Sequence, residues 1–395
     1  MRKPSFVSLF SGCGGFDLGF ERAGFRCLRA FEIDSNTASV YRNNLAGTLT
    51  LCDLSKPVQF SKDLRKVDVV IAGPPCQGFS TIGKRALNDP RNSLLVEAAR
   101  LAISLRPKVI VLENVAGVLA GSHRRFWNHA SQLLRSNAYK TSDIVCDTAE
   151  LGLSQKRKRI LCFAWKGDFD GPIELPKRDG GTLKDALQRL RGLPNHQYKL
   201  LDPNSRAGRI ARCIKQGQKL CNVRLSPRAV HTWSIPEVFG RTTCDERMVL
   251  EALVRRRRQQ RVRDFGDADP VSANALRHAI GRPVANVLAR LIAKGYVRQI
   301  DSTYDLAHTF NGKFRRLGWM APAPTVDTKF GDANYFLHPE EHRAFSVREA
   351  ARIQGFPDDF IFAGPLQSQF QMIGNAVPPP VAQLVAALVS RRLLN

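Results

Sequence analysis

The chain has 395 residues, more than most single domains, so one large core with a second, smaller lobe is expected. Its formal net charge is +25, and the arginines cluster, which indicates nucleic acid as a partner ahead of a membrane surface. The competing explanation is that the positive charge only keeps the protein soluble. The nine cysteines show no Cys-x-x-Cys pair and no Cys/His ligand spacing, so no metal and no disulfide framework are expected.

No signal peptide and no apolar run long enough to span a bilayer are predicted, which indicates a protein of the reducing cytoplasm that associates with the nucleoid.

Up to about Trp165, short β-branched runs alternate with amphipathic helical stretches, a pattern typical of a parallel α/β sheet. The predicted strands are residues 6–10, 27–32, 67–72, 109–113, 142–146 and 160–165. From residue 167 to about 320 this alternation stops, and Pro, Gly and Arg become more frequent. Helical patterns return at 347–354 and 380–394. The prediction is therefore a discontinuous catalytic domain, residues 1–166 and 321–395, around a second lobe at 167–320.

The first predicted strand runs into a glycine-rich loop, Phe10-Ser11-Gly12-Cys13-Gly14-Gly15-Phe16-Asp17. In a dinucleotide fingerprint the third glycine would fall on Asp17, whose carboxylate disfavours a pyrophosphate but suits an ammonium or a sulfonium. Twenty residues after Gly12, Glu32 closes the second strand, where an acid can accept hydrogen bonds from ribose hydroxyls. The loop thus favours S-adenosylmethionine over NAD, with an arbitrary turn as the alternative.

Cys76 lies just after another predicted strand, in Gly73-Pro74-Pro75-Cys76-Gln77-Gly78-Phe79-Ser80. The prolines fix the backbone, so this thiol should be held at the carboxyl edge of the sheet, where open α/β folds bind ligands. A buried structural cysteine would instead prefer an apolar strand interior. Glu113 ends the next strand and places a carboxylate beside the same cleft.

Three further polar residues alternate along one predicted strand, namely Gln155, Arg157 and Arg159. Alternate residues of a strand share a face, so these side chains should point the same way. The competing interpretation is a solvated basic strand.

In the order and spacing of these motifs, the chain resembles the cytosine-C5 DNA methyltransferase family over about residues 4–165 and 315–390, including Arg348-Glu349-Ala350-Ala351-Arg352-Ile353-Gln354-Gly355-Phe356-Pro357 and Gly374-Asn375-Ala376-Val377-Pro378-Pro379-Pro380. The resemblance implies a Rossmann-like sheet that binds S-adenosylmethionine, beside a smaller DNA-recognition domain. The residues it assigns to the cofactor are Phe10, Gly12, Gly14, Gly15, Glu32, Ile33, Asp53, Pro75 and Asn375. Ile33 departs from the family, in which many relatives carry a larger aromatic residue there.

The resemblance also assigns catalytic residues, which are Cys76, Glu113, Arg157 and Arg159. Carbon 5 of cytosine is a poor nucleophile, so the Cys76 thiolate must first add to carbon 6. Glu113 would act on N3, Arg159 would hold the O2 side or the adjacent phosphate, and either arginine could favour the thiolate. The target base must be flipped out of the duplex, and residues 80–92 are expected to close over it.

Within the second lobe, residues 243–310 predict three helices followed by a hairpin. Thr243 and Glu246 form a capping box, Ser272 can cap a second helix, and Pro283 suits the first turn of a third. The hairpin strands are predicted at 297–300 and 303–306. This order resembles a winged helix-turn-helix, with a helical spacer as the alternative.

The third predicted helix carries Val284, Val287, Leu288 and Leu291 on one face, and Arg282, Asn286, Ala289 and Ala293 on the other, with Arg290 at the edge. The second face would suit a major groove. The complete set of predicted DNA contacts is Gln77, Ser80, Lys84, Arg85, Gln155, Arg255, Arg256, Arg282, Asn286, Arg290 and Thr325.

The expected substrate is double-stranded DNA, bound by a monomer, with a cognate restriction endonuclease that acts separately. Two alternatives stay open from the sequence: a transfer-RNA cytosine methyltransferase on the same catalytic frame, and a DNA-binding regulator with a decayed catalytic lobe. The winged-helix pattern favours duplex DNA over RNA. The regulator is disfavoured because the catalytic motif residues are intact, namely Cys76, Glu113, Gln155, Arg157 and Arg159.

Overall fold

The structure is a computed structural model that describes residues 2–75, 93–262 and 268–394. The chain forms two compact units. Unit 1 comprises Met1–Gln197, Trp319–Lys329 and Ser346–Asn395, and unit 2 comprises Tyr198–Gly318 and Phe330–Phe345. Both units are therefore built from segments that are separated in sequence.

The N-terminal part of unit 1 alternates strands and helices. In chain order these are β1 (Ser5–Leu9), α1 (Gly15–Arg22), β2 (Arg26–Glu32), α2 (Ser35–Asn44), β3 (Leu49–Leu51), β4 (Val69–Ala72), α3 (Leu94–Ser104), β5 (Val109–Val115), α4 (Arg124–Ser136), β6 (Lys140–Asp147), β7 (Lys158–Trp165) and α5 (Leu183–Ala186). The short strand β3 was not predicted, because three residues carry too little periodicity to be recognised.

The strands of unit 1 form a mixed sheet, with the order β3-β2-β1-β4-β5-β7-β6 in the described part of the chain. Strands β1 to β5 are paired in parallel, whereas β7 is antiparallel to both β5 and β6. The prediction of a parallel sheet is thus wrong for β7. Parallel neighbours need a crossover of a dozen or more residues, and residues 148–157 between β6 and β7 are too few.

Unit 2 has smaller elements, which in chain order are α6 (Arg206–Arg212), β8 (Lys219–Cys221), β9 (Ala229–Val230), α7 (Pro236–Phe239), α8 (Cys244–Gln259), β10 (Val271–Ser272), α9 (Ala273–Ile280), α10 (Ala285–Ala293), β11 (Val297–Ile300), β12 (Thr303–Leu306), β13 (Asn311–Lys313), β14 (Arg315–Arg316) and β15 (Phe336–Leu337). The predicted hairpin matches β11 and β12 in its bounds. The capping box of Thr243 and Glu246 and the Ser272 cap are also confirmed. Pro283, however, precedes α10, which begins two residues later.

The segment from α8 to β12 packs around a hydrophobic core that it shares with Cys221, Val223 and Trp233. Leu250 and Leu253 of α8 pack with Leu276 of α9 and with Leu288 and Leu291 of α10. Strands β10, β12 and β11 lie side by side in that order as an antiparallel sheet. These contacts join the three helices and the hairpin into one body within unit 2.

The chain returns to unit 1 through α11 (Val347–Gln354), α12 (Leu366–Asn375) and α13 (Pro379–Leu388). By length and composition alone, Leu366–Leu393 could span a membrane, so the expectation that no run is apolar enough is wrong. In the fold this stretch is broken at residues 376–378 and is mostly buried. Core helices of soluble proteins have the same composition.

Helices cover both faces of the unit 1 sheet, so its strands are continuous apolar runs. Successive side chains of each strand pack against helices on opposite faces. On one face, Val70 and Leu112 pack with residues of α3 and α4. On the other, Ile71 and Val111 pack with residues of α1 and α13. Since both faces are filled, polar side chains at the strand ends remain to form a site.

Asp17 is a fully buried acid on α1, and we predict that it makes stability depend on pH. Its carboxylate accepts hydrogen bonds from the hydroxyls of Ser8 and Tyr41, each 2.9 Å long. Burial raises the pKa of Asp17 from 3.8 to about 7. The folded state therefore holds a proton that the unfolded chain releases near pH 4. This favours folding most at low pH, and the contribution is lost as the pH rises through 7.

The expected result is that the free energy of unfolding of the wild type falls relative to that of Asp17→Asn between pH 5 and pH 8, on the order of a few kcal/mol. Urea unfolding at several pH values measures it. The exposed Asp359→Asn serves as the matched control. Parallel pH profiles for the wild type and Asp17→Asn would contradict the assignment.

Candidate active site

A cavity of about 400 Å³ lies in unit 1 at the carboxyl ends of β1, β2, β4 and β5. Open α/β sheets bind ligands at this edge. The predicted cofactor residues on its wall are Phe10, Gly12, Glu32, Ile33, Asp53, Pro75 and Asn375, and the predicted catalytic residues on the same wall are Glu113 and Arg159. The structure thus joins residues that are as much as 365 positions apart in sequence.

The loop after β1 is shaped by left-handed backbone conformations. Phe10 has φ +55° and Gly12 has φ +58°. The Gly12 amide donates to Glu32 Oε2 at 2.9 Å, and Glu32 Oε1 accepts from the amides of Ile33 and Asp34. These three amides fix the Glu32 carboxylate at the end of β2, beside the cavity. Its orientation suits the predicted role of binding ribose hydroxyls.

Asp53 follows β3 on the cavity wall and is also held by its own chain. Its Oδ1 accepts from the Ser55 hydroxyl at 2.6 Å and from the Ser55 amide at 3.0 Å. The Ser55 hydroxyl, and then its amide, hold the pKa of Asp53 below its ordinary value. The side chain is therefore an acceptor for a ligand amine at neutral pH.

Three loop residues have positions other than those the sequence predicted. Of the described loop residues, Gly14, Gly15 and Asp17 do not line the cavity. A Cβ on Gly14 would lie 2.0 Å from Leu45, and one on Gly15 would lie 2.4 Å from the Val377 carbonyl oxygen. These glycines serve close packing. The argument that Asp17 faces an ammonium or a sulfonium is wrong, because its carboxylate is buried against two hydroxyls.

Glu113 and Arg159 form the polar centre of the cavity wall. Glu113 is in β5 and Arg159 is in β7, and Arg159 Nε lies 2.7 Å from Glu113 Oε1. Burial raises the pKa of Glu113, while Arg159 and then Arg157 oppose the rise. A carboxyl with a raised pKa is protonated more readily near neutrality, so it can donate a proton to a ring nitrogen.

Asn114 is a site residue that sequence reasoning missed. It is buried, and its Nδ2 donates to the Pro74 carbonyl at 3.3 Å, while its Oδ1 accepts from the Val115 amide. It thereby ties the Pro74-Pro75 segment to β5, next to Glu113. Its position directly after Glu113 in the sequence was the available signal.

Two thiols line the described cavity wall, those of Cys13 and Cys52, and Cys13 is in the glycine loop. It is fully buried, and burial raises the pKa of Cys13 to about 12. A thiol with that pKa holds almost no thiolate at neutral pH and is a poor nucleophile. The predicted residues Cys76, Gln77, Ser80, Lys84 and Arg85 lie outside the described residues, as does the expected closing segment 80–92.

The residues before β7 alternate between buried and exposed, as the strand pattern predicted, but the buried face is internal. Gln155 is wholly buried, donates to Gln354 Oε1 and accepts from the Val326 amide. A side chain enclosed in this way cannot contact DNA, so that assignment is wrong. Thr325, half-buried, donates its hydroxyl to the Lys156 carbonyl.

Arg157 is also internal, contrary to its predicted catalytic role. Its guanidinium is buried and donates to the carbonyls of Val326, Gly374 and Ala376. It does not belong to the described cavity wall. These bonds hold the return segment in place, and Asn375 on that segment lines the cavity.

In unit 2, the predicted DNA contacts are distributed over α8 and α10. Arg255 is exposed and Arg256 is half-exposed, whereas Arg257 is buried in an ion pair with Asp305. Arg282, Asn286 and Arg290 are all exposed. The basic run on α8 is therefore interrupted by one arginine with an internal role.

The cavity at the strand ends, with Glu32 fixed beside the glycine loop and Glu113 paired with Arg159, is typical of α/β methyltransferases, and the comparisons with known proteins agree with that class. The family model for C-5 cytosine-specific DNA methylase matches residues 4–391. The chain belongs to this family, whose members transfer a methyl group from S-adenosylmethionine to carbon 5 of cytosine in DNA.

The sequences of curated relatives align with nearly the whole chain. The Type II methyltransferase M.AgeI of Thalassovita gelatinovora is 30% identical and covers 97% of this chain and 98% of its own. The Type II methyltransferase M.DdeI of Desulfomicrobium norvegicum is 29% identical, covering 98% of this chain and 88% of its own.

Solved structures share the fold. A protein described as a DNA modification methyltransferase encoded within an E. coli prophage superposes with a TM-score of 0.61 at 24% identity, and it covers 100% of both chains. A DNMT2 mutant of Spodoptera frugiperda gives a TM-score of 0.53 at 17% identity, covering 98% of this chain and all of its own.

Proposed function

We propose that this enzyme methylates a flipped-out cytosine of duplex DNA through a covalent adduct with Cys76, with Glu113 and Arg159 holding the pyrimidine. The observation that supports this most is the Glu113–Arg159 ion pair, which shares one cavity wall with Gly12 and Glu32. A cofactor position and a polar cradle for a ring thus lie in the same space.

The cavity fits S-adenosylmethionine, which supplies an electrophilic methyl group when bound. Glu32 would accept from the ribose hydroxyls, and Asp53 from the adenine amino group. The left-handed Gly12 lets the backbone approach the ligand without a Cβ. Ile33 is 64% exposed on the wall and offers an apolar side chain for the adenine ring.

Each residue then has a defined part in the reaction. The Cys76 sulfur forms a bond to carbon 6, and the displaced electron pair makes carbon 5 nucleophilic. Glu113 gives a proton to N3 as charge builds on the ring, and Arg159 fixes the Glu113 carboxyl. Carbon 5 takes the methyl group, and a base then removes the carbon-5 proton. The electron pair of that C–H bond expels the sulfur from carbon 6, and N3 returns its proton to Glu113. None of these steps requires a metal ion.

We predict that Glu113→Gln lowers the rate of the chemical step by on the order of 10²- to 10⁴-fold, because an amide cannot supply the proton. DNA binding should change little. Single-turnover rates and binding isotherms measure the two effects, and Glu97→Gln on α3 is the control. An equal loss in rate and affinity would contradict the proton-donor role.

We predict that Cys76→Ala abolishes methyl transfer and leaves S-adenosylmethionine affinity largely unchanged, because the thiol forms the adduct and Gly12 and Glu32 hold the cofactor. Duplex DNA with a fluorine on carbon 5 of the target cytosine should trap a covalent complex with the wild type, since no proton can leave. Denaturing gels detect it. Cys13→Ala should still form the trapped complex. Turnover by Cys76→Ala would refute the mechanism.

For unit 2 we propose a winged-helix role for α8 to β12, with α10 as the helix that enters a groove. Its support is the order of three helices and a hairpin around one core. A helical spacer would not need the two-residue β10, which extends the hairpin to a third strand. Arg255 and Arg256 on α8 would contact phosphates.

We also propose that the enzyme acts as a monomer, because one chain supplies the whole described cavity wall. The Type II relatives favour a partner restriction endonuclease that acts separately. DNA affinity would keep the enzyme on the nucleoid. The same relatives favour DNA over transfer RNA as the substrate.

Replacing Arg255 and Arg256 with Ala should weaken binding to every duplex alike. The slope of log K against log salt should flatten by roughly one unit for each lost phosphate contact. Fluorescence anisotropy across a salt series measures it. The exposed pair Arg391 and Arg392 in unit 1, changed to Ala, removes the same charge as a control. Identical slopes for the wild type and the Arg255/Arg256 variant would contradict phosphate contact.

A further inference from the structure

Apart from Ile292, the exposed residues of α10 are small or polar, while the other side of the helix is fixed in the core. Val284, Leu288 and Leu291 are buried. The exposed positions on this helix include Ala285, Asn286, Ala289, Arg290 and Ala293. Alanines between two longer polar side chains let a helix approach another surface closely. This face therefore suits a narrow space such as the major groove of DNA.

Arg290 is held by a buried acid of α8. The side chain of Glu246 is fully buried, and its Oε1 lies 3.5 Å from Arg290 Nε. Both of its oxygens also accept from Lys294 Nζ, at 2.9 and 2.8 Å, and Oε2 accepts from the Thr243 amide at 2.8 Å. Burial acts to raise the pKa of Glu246, but Lys294, the Thr243 amide and Arg290 together outweigh it and hold the pKa below its ordinary value.

The ion pair with Glu246 engages Nε of the Arg290 guanidinium, and the Arg290 side chain remains about half exposed. Among the described residues, the terminal nitrogens of Arg290 have no protein partner, so they are available for a bidentate contact. An arginine held at its inner nitrogen loses less freedom on binding than an unrestrained one.

Arg282 was predicted on the same helix face, but it precedes α10, and its side chain is engaged differently from that of Arg290. Its Nη2 donates to Asp245 Oδ1 at 2.7 Å and contacts Met248 Sδ, so a terminal nitrogen is occupied. Both members of this pair are about half exposed. Arg282 is therefore less well prepared for a bidentate contact than Arg290, and we do not assign it to base reading.

We propose that Asn286 and Arg290 of α10 read the base pairs that flank the target cytosine, and that Glu246 is a positioning residue for Arg290; this rests on the proposed function. Asn pairs with the N6 and N7 edge of adenine, and Arg with the O6 and N7 edge of guanine. The two residues are four apart, a rise of about 6 Å, which is close to two base-pair steps. The recognised sequence should hold an A·T and a G·C pair at about that separation.

Selection of bound duplexes from a random-sequence library, followed by sequencing, tests this with the full chain. A parallel library is methylated and read by bisulfite sequencing. Asn286→Ala should lose preference at one position, and Arg290→Ala at another, by on the order of 10- to 100-fold at each. Glu246→Gln keeps the capping acceptor but not the charge, so it should weaken preference only at the Arg290 position.

The controls separate base reading from charge and from folding. Arg277→Ala removes an exposed arginine of α9 and should leave the preferred sequence unchanged. Thermal unfolding should place Asn286→Ala, Arg290→Ala and Arg277→Ala close to the wild type. Glu246→Gln also loses its ion pair with Lys294, so it is compared at a temperature where its unfolding curve shows it folded. Unchanged preference in both Asn286→Ala and Arg290→Ala, or loss at every position with Glu246→Gln, would overturn the inference. A wild type that selects a sequence without methylating it would refute the proposed function alone.

Discussion

The buried guanidinium of Arg157 is the contact on which the cavity in unit 1 depends. Burying a charged group costs free energy unless the group keeps hydrogen-bond partners. The Arg157 guanidinium donates to the carbonyls of residues 326, 374 and 376. Those carbonyls belong to two separate return segments of unit 1. One side chain next to β7 therefore sets the position of both.

A second buried arginine of unit 1 also donates to backbone carbonyls. Arg348 of α11 is fully buried and donates to the carbonyls of Pro194, Pro357 and Phe360. Carbonyls, unlike carboxylates, carry no titratable charge, so these anchors do not change with pH in the range where Glu113 and Asp17 do. The scaffold and the titrating groups of unit 1 are thus chemically distinct.

The sequence predicted the cavity wall better than the sheet that supports it. Glycines, prolines and acids at strand ends have local signatures, and Gly12, Glu32 and Glu113 lie where their motifs indicated. The antiparallel β7 depends on the length of the connection that precedes it, which a strand pattern does not encode. Gln155 and Arg157 were misassigned because alternation predicts a shared face but not what covers it.

Part of the cavity wall is synthesised late on the ribosome. The wall includes Ser368, Gln371 and Asn375, which follow all of unit 2 in sequence. A nascent chain that has emerged only as far as α10 would carry the nucleophile loop and the glycine loop without this wall. The full cavity wall is therefore available only after unit 2 has been translated, so a chain truncated within unit 2 lacks part of the candidate cofactor site.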